Sequence, residues 1–335
     1  MNKSPFSLKI FLKCYYNNLI TKKSIISFLL IIGGIISNLL IDSLKSEVQG
    51  PFRLIATVII IIALIIIFPL SLYESIKEFT SNSNLVIFHK SLFMTIDQEV
   101  SDIFKGNPTT SFITIDTSLF RENDHIQWEK GKKEQIIKFN TEIKPVLHSF
   151  PKIHYIGIAE IPFALHLGYL LSNSLAIKYY QRQQRPSIDN SPWIWPSKDV
   201  PANWHPILTS RKKNFGKNDK IAILLEFSFP ISNESLPLEV QGFSIVRISV
   251  PNPSIHDLIA EKQVQIFGEK VKEILDKLKD CDEIHLFLAT PVAISFVTGQ
   301  MINHSAHPEC FVYAYNKNKD PPYKLALKVN EKKKR

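Results

Sequence analysis

Two long apolar stretches lie close to the N-terminus. Residues 24–41 form a run of 18 without a charge, and residues 54–72 form a run of 19. A helix needs about 20 apolar residues to cross the core of a bilayer. The pattern therefore predicts a two-helix transmembrane hairpin within residues 1–84. A pair of buried core helices is the alternative, but residues 58–68 are apolar on every helical face, which soluble cores rarely need.

The charges beside these stretches predict an orientation. The first 23 residues carry five lysines and no acid, whereas the charges of residues 42–53 sum to zero. Positively charged flanks stay in the cytoplasm. We therefore expect a protein of the cell inner membrane whose N-terminus and whose residues after 72 are cytoplasmic. The three cysteines are an odd, scattered set and do not indicate disulfides, which agrees with a reducing compartment.

Beyond residue 84, short apolar runs alternate with segments of helical spacing. Runs typical of buried strands lie at residues 85–93, 111–117, 153–159, 176–181, 222–229, 243–250, 284–289, 311–315 and 324–329. Helical spacing predicts helices at residues 129–150, 162–172, 262–279 and 291–303. Pro145 should kink or end the first of these helices. This alternation predicts an α/β fold with a mostly parallel sheet covered on both faces.

The second half of this region repeats the first. With an offset of 131 residues, Ile153-His154 aligns with Ile284-His285 and Gly168 aligns with Gly299, without a gap. The economical interpretation is two fused Rossmann-like lobes, at about residues 85–183 and 217–330. The proline-rich residues 184–216 between them are predicted to be a loop region.

Net charge adds little about partners once its distribution is considered. Of the net charge of +9, the N-terminal flank supplies five and residues 331–335 supply three. The rest of the chain is close to neutral, which argues against a surface that coats long nucleic acid. The basic clusters at the termini are more typical of contact with an anionic membrane surface.

Several kinds of site are disfavoured by the motifs. The eleven glycines form neither GxGxxG nor GxxxxGK[ST], and GxSxG does not occur, which disfavours dinucleotide dehydrogenases, P-loop NTPases and α/β-hydrolases. His304, His307 and Cys310 have a spacing that could suit a metal, but a second ligand pair is missing. We interpret His154 and His285, at strand starts, as structural.

Ligands of open α/β sheets bind at the carboxyl ends of the strands. Lys90 lies in the predicted turn His89-Lys90-Ser91 and could meet a phosphate there, although a solvated lysine is the commoner outcome. The tryptophans of the proline-rich segment could stack on bases or could fill the seam between the lobes; they are Trp193, Trp195 and Trp204.

Two segments carry a resemblance to a known family. Residues 284–316, IHLFLATPVAISFVTGQMINHSAHPECFVYAYN, followed by YKLALKVN, resemble the C-terminal lobe of the SAVED domain. Residues 153–171, IHYIGIAEIPFALHLGYLL, look like its counterpart in the first lobe. SAVED domains consist of two fused CARF-like lobes and serve as receptors for cyclic oligonucleotides, often cyclic trinucleotides, in bacterial anti-phage systems (CBASS). The resemblance covers about residues 85–330.

The resemblance implies a function and a set of ligand contacts. Thr290 and Pro291 match the family pattern best, and Lys90 and Trp195 are further candidates. Glu160 stands where the second lobe has Pro291, a departure that leaves the contacts of the first lobe open. The family includes effectors with two N-terminal transmembrane helices. The implied protein is thus a membrane-bound effector that binds a cyclic trinucleotide, oligomerises and disrupts the inner membrane.

Other parts of this expectation concern partners and chemistry. The ligand would come from a nucleotidyltransferase, the lipid bilayer would be the second partner, and no catalytic residue, metal or cofactor is expected. Three alternatives stay open: a hairpin that only anchors the protein, a CARF-like enzyme that cleaves cyclic oligonucleotides, and a passive membrane scaffold.

Overall fold

The structure is a computed structural model with two lobes, each built around its own sheet. It describes residues 83–91, 97–105, 109–122, 125–172, 177–183, 192–193, 195, 197–210, 212 and 215–331. The predicted α/β fold is confirmed in these residues. The predicted spans, 24–41 and 54–72, lie outside them.

The first lobe contains a four-stranded sheet in which every strand is parallel to its neighbours. Its strands and helices, in chain order, are β1 (Asn84–Lys90), α1 (Asp97–Ile103), β2 (Thr110–Asp116), β3 (Arg121–Glu122), β4 (His125–Ile126), α2 (Trp128–Lys138), β5 (Lys152–Ile158), α3 (Ile161–Leu170) and β6 (Ile177–Tyr180). The sheet order is β2-β1-β5-β6, and β3 pairs only with β4. Six residues of β1 are buried, as expected for a strand covered on both faces.

The second lobe contains a mixed sheet of six strands. Its elements are β7 (Ile207–Ser210), β8 (Lys220–Glu226), β9 (Ser244–Ser249), α4 (Glu261–Lys277), β10 (Glu283–Ala289), α5 (Val292–Gln300), β11 (Glu309–Tyr315) and β12 (Tyr323–Val329). The order is β12-β11-β10-β8-β9-β7, with four parallel strands in the middle and an antiparallel strand at each edge.

The structure differs from the sequence prediction at four places, one of which is the short β3–β4 pair, which was not predicted. Helix α1 has seven residues and was not predicted, and β7 lies within the segment predicted as a loop. The α-helix predicted over residues 129–150 is shorter in the structure. Helix α2 ends at Lys138 and is followed by a single π-helical turn, Phe139–Ile143, before Pro145. The proline ring excludes a regular helix after this turn.

The predicted location needs a correction. No helix in the described part of the chain is long and apolar enough to cross a bilayer. On that finding, the predicted location, a two-span protein of the cell inner membrane, is wrong.

The two lobes meet through α3 and α5, and their backbones touch. A Cβ atom at Gly168 would overlap the carbonyl oxygen of Phe296, and one at Gly299 would overlap the carbonyl oxygen of Leu165. These contacts are reciprocal, because the 131-residue offset relates Gly168 to Gly299 and Leu165 to Phe296. The same offset maps β5 onto β10 residue for residue. The lobes are therefore related by an approximate two-fold repeat centred on this contact.

Burial at the seam explains why both helices are so apolar. Residues 162–168 of α3 and 293–299 of α5 are buried in unbroken runs, whereas α4 has one buried stripe and a charged outer face. A helix that is apolar on every side is covered on every side. Tyr155 of β5 adds a ring stacked on Phe296 of α5, with centroids 3.7 Å apart.

We expect Gly168→Ala or Gly299→Ala to lower the free energy of unfolding by about 3 kcal/mol or more. The added methyl group would have to displace backbone, which costs more than ordinary overpacking of side chains. Urea denaturation of the full chain would measure the loss. Gly242→Ala is the matched control, since its Cβ would meet nothing within 4 Å. An unchanged midpoint for both seam variants would contradict the close backbone contact.

Candidate functional site

The carboxyl edge of each lobe, where its parallel strands end, adjoins the other lobe at one point. Val292, the first residue of α5, packs against Gly157 near the end of β5: a Cβ on the glycine would lie 2.8 Å from the Val292 Cγ1 atom. The amide of Ala293 donates a hydrogen bond of 3.2 Å to the side-chain oxygen of Gln181, which follows β6. The ends of β5, β6 and β10 therefore lie together, and this region is the candidate site.

At the carboxyl edge of the first lobe, Lys90 lies between two carboxylates. Its Nζ atom is 3.5 Å from Asp97 Oδ1 and 3.4 Å from Asp116 Oδ2. The Asp97 side chain is 60% exposed, so this ion pair is open to water. The lysine predicted to meet a phosphate is thus already neutralised by acids of the same lobe.

Asp116 is held as a carboxylate by its own turn. Its Oδ1 atom accepts hydrogen bonds from the Ser118 amide at 3.0 Å and the Ser118 hydroxyl at 2.5 Å. Partial burial alone would raise the pKa of Asp116, but the hydrogen bonds from Ser118 and the charge of Lys90 lower the pKa below its ordinary value. A carboxylate stabilised in this way is a weak base.

Glu160 forms an ion pair with Arg121 at the start of α3. The Arg121 guanidinium contacts the Glu160 Oε1 atom, and the Glu160 amide donates to the Ser91 hydroxyl. Neither side chain is more than 28% exposed. The acid that replaces proline in this lobe therefore neutralises a cation.

In the second lobe, Thr290 and Pro291 make the turn from β10 into α5. The Thr290 hydroxyl lies 2.7 Å from the Ser295 hydroxyl, which also donates to the Pro291 carbonyl at 3.0 Å. Beside this turn, the buried Glu226 at the end of β8 contacts the Arg247 guanidinium and accepts the Ile231 amide at 2.8 Å. The turn and its neighbouring strand end are therefore rigid and hydrogen-bonded.

The structure places Trp193 in the core of the first lobe and Trp195 beside β6. Trp193 is 1% exposed and packs against the apolar cluster of Val86, Phe88, Val100 and Ile156, so it fills the core and is not free to stack on a base. Trp195 is partly exposed, and its indole nitrogen donates to the Tyr179 carbonyl at 3.1 Å. That bond places Trp195 beside β6, whose end is part of the candidate site.

Beneath Lys90 lies a buried polar network. The two nitrogens of His89 are 3.2 Å from the Tyr155 hydroxyl and 3.1 Å from Gln135 Nε2, and Gln135 Oε1 lies 2.6 Å from His166 Nδ1. Because the Gln135 amide nitrogen can only donate, His89 is protonated on Nδ1 and donates to Tyr155. Burial lowers the pKa of both histidines to about 3.

The histidines that might have suggested a metal have structural partners. His307 is buried, accepts the Asn303 amide on Nδ1 at 3.0 Å and has Nε2 3.2 Å from Asp276. Within the described residues, no cluster of three or more His, Cys, Asp or Glu side chains has the arrangement of a metal site.

The predicted site residues are only partly brought together. Thr290 and Pro291 lie at the junction of the lobes, Lys90 and Glu160 lie at the carboxyl edge of the first lobe, and Trp195 lies beside β6. No motif could have identified Arg121, Gln181 or the Glu226–Arg247 pair. Their partners are distant in sequence and depend on strand pairing.

The chain matches a family model. The model is described as SAVED, the SMODS-associated and fused to various effectors sensor domain, and it matches residues 135–329, more than half of the chain. A search of curated proteins finds no match.

Solved structures with a similar fold are also found. The Acinetobacter baumannii Cap4 SAVED/CARF-domain containing receptor with the cyclic trinucleotide 2′3′3′-cAAA has 14% identity and a TM-score of 0.49, over 76% of this chain and 53% of that one. The Moraxella osloensis Cap4 SAVED/CARF-domain containing receptor has 14% identity and a TM-score of 0.46, over 74% and 50%. The chain spans about half the length of these proteins.

We expect the free energy of unfolding to fall as the pH drops from 7 to 5. His89 and His166 stay neutral in the folded chain down to a pKa of about 3, whereas in the unfolded chain they take up protons near pH 6.5. The unfolded state therefore binds more protons between pH 7 and pH 5. Each histidine is expected to lower the free energy of unfolding by about 2 kcal/mol at pH 5. Urea denaturation at both pH values would measure the loss.

Other buried histidines add in the same direction, so a variant must isolate this network. His166→Gln keeps a donor near Gln135 but cannot titrate, and its stability should depend less steeply on pH than that of the wild type. Equal slopes for the variant and the wild type would show that the network is not the source.

Proposed function

Because the chain belongs to the SAVED family of sensor domains, we propose that it is a receptor for a cyclic oligonucleotide, and that the preferred ligand is a cyclic trinucleotide. The observation that carries the proposal is the junction of strand ends from both lobes, where α5 begins against Gly157 and Gln181. A ligand seated there touches both lobes at once. Its binding free energy then depends on how the lobes are arranged, as signalling by a receptor requires.

The junction offers polar groups that suit phosphates and sugars. The first turn of α5 is the positive end of its helix dipole, which favours an anion close by, while Ala293 itself is buried and its amide donates to the neutral Gln181 side chain. The Thr290 hydroxyl is close to the same turn, at the position that matches the family pattern best. The first turn of α3 is poorer in donors because Pro162 lacks an N–H.

The cations of the first lobe would bind phosphate by exchange. Lys90 and Arg121 are paired with carboxylates, so an incoming phosphate has to replace a carboxylate as the partner. Asp97 is the most readily displaced of these acids, since it is 60% exposed and 3.5 Å from the lysine. This exchange would favour a ligand that places a phosphate at Lys90 over other anions.

We propose that binding is not followed by catalysis. The nearest arrangement to a nucleophile and base at the first-lobe edge is Ser118 with Asp116. The depressed pKa of that carboxylate makes it a poor acceptor for the hydroxyl proton. We further propose that the ligand, produced by a nucleotidyltransferase, drives self-association of the chain.

Calorimetry of the 335-residue chain against cyclic di- and trinucleotides would test the receptor. The panel should include 2′3′3′-cAAA and 3′3′3′-cAAA, with chromatography of each compound after incubation and sedimentation of the chain with and without it. Saturable binding of one compound, recovered intact, supports a receptor. Cleavage of the compound would support the enzyme alternative. If a folded chain binds no compound, the scaffold alternative is favoured.

We expect Lys90→Ala to weaken binding of the panel ligand by about tenfold or more, because a charge-assisted hydrogen bond to phosphate contributes about 1.5–3 kcal/mol. Asp97→Asn should tighten binding, since it releases the lysine from a competing carboxylate. Lys105→Ala is the control: it removes an equal charge from an 83% exposed side chain away from the strand ends. If Lys90→Ala and Lys105→Ala have the same affinity, Lys90 is not a contact.

A further inference from the structure

Two exposed aromatic rings lie side by side at the carboxyl edge of the second lobe. Phe229, three residues after β8, is 40% exposed, and Tyr315, the last residue of β11, is 51% exposed. Their ring centroids are 5.8 Å apart. In the sheet, β10 lies between β8 and β11. The two rings therefore flank the strand end from which Thr290 and Pro291 lead into α5.

The segment that carries Phe229 is tied to that strand end. The amides of Phe227 and Ser228 both donate to the carbonyl of Ala289, at 3.1 and 2.7 Å. Ala289 is the last residue of β10 and directly precedes Thr290. Phe229 thus has a backbone connection to the candidate site and is not on an independent surface loop.

Tyr315 is held from behind by a buried ring. Its centroid is 5.3 Å from that of Tyr323, in an edge-to-face arrangement, and Tyr323 in turn packs at 5.4 Å against Phe287 in the core. Tyr323 and Phe287 are at most 1% exposed. The exposed ring therefore rests on a fixed support and loses little conformational freedom if a second ring stacks on it.

We propose that Phe229 and Tyr315 form a stacking surface for one base of the ligand, an inference that rests on the proposed receptor function. The ring planes are inclined at 59°, so the base would lie parallel to one ring and against the edge of the other. Base–aromatic stacking accepts any base, because every base has a π-face. The surface would thus contribute affinity in the second lobe, next to the turn that binds the sugar-phosphate ring. This assigns to two residues of the second lobe the role that the sequence analysis considered for the tryptophans.

The test compares ring-removing and ring-keeping variants in calorimetry of the 335-residue chain with the compound that the wild type binds. We expect Phe229→Ala and Tyr315→Ala each to weaken binding by about 10-fold or more, and Tyr315→Phe to stay within about twofold of the wild type because the ring remains. Phe229→Leu keeps apolar area without a π-face and should behave like the alanine variant. Phe112→Ala, at a 44% exposed phenylalanine on β2, is the control.

Each outcome bears on one of the two proposals. Wild-type affinity in both alanine variants would overturn the stacking surface and leave the receptor intact. A wild type that binds no compound of the panel would overturn the receptor itself. If the variants change sedimentation of the ligand-free chain while the affinity is unchanged, the rings form a contact between copies of this chain and the stacking surface is again overturned. Thermal unfolding of every variant checks that the fold is retained.

Discussion

The contact between the backbones of α3 and α5 is the constraint on which the rest of this structure depends. Two glycines allow it, Gly168 and Gly299, each facing a carbonyl of the opposite helix. Because the helices approach so closely, Val292 reaches Gly157 and the Ala293 amide reaches Gln181. The strand ends of two separate sheets are thereby brought to one place. Side chains larger than hydrogen at these positions would hold the lobes apart and divide the candidate site.

The charges at the candidate site bear on its selectivity. The described cations at the strand ends, Lys90, Arg121, Arg182 and Arg247, are each paired with at least one carboxylate. Such an edge does not attract every anion, because an arriving phosphate gains only the difference between its own interaction and that of the acid it displaces. Shape, backbone amides and ring stacking then have a larger share in deciding which ligand binds.

The parts of the fold that follow from the sequence are those in which local pattern and burial agree. The strands β5 and β10 are nearly continuous apolar runs, and the ungapped 131-residue repeat already pairs the two seam glycines. Helix α1 and strand β7 could not be predicted because one is only two turns long and the other is a short edge strand in a proline-rich segment. Less of the candidate site could be predicted from the sequence. Thr290 and Pro291 can be identified because they follow a recognisable strand end. Arg121 and Arg247 cannot, because only the folded sheets place them beside their carboxylate partners.

The seam glycines also have a mechanical consequence. A contact between side chains can adjust through rotamer changes, whereas a contact between two backbones can hardly deform. Sliding of one lobe along the other would drive the Gly168 Cα into the neighbouring carbonyl, while rotation about the crossing point keeps the separation constant. The contact between α3 and α5 therefore opposes sliding of the lobes more strongly than rotation. A rotation of a few degrees about the crossing point becomes a displacement that grows with distance from it, as at the outer strand β2, whereas β12 lies against α2 and α3 of the first lobe.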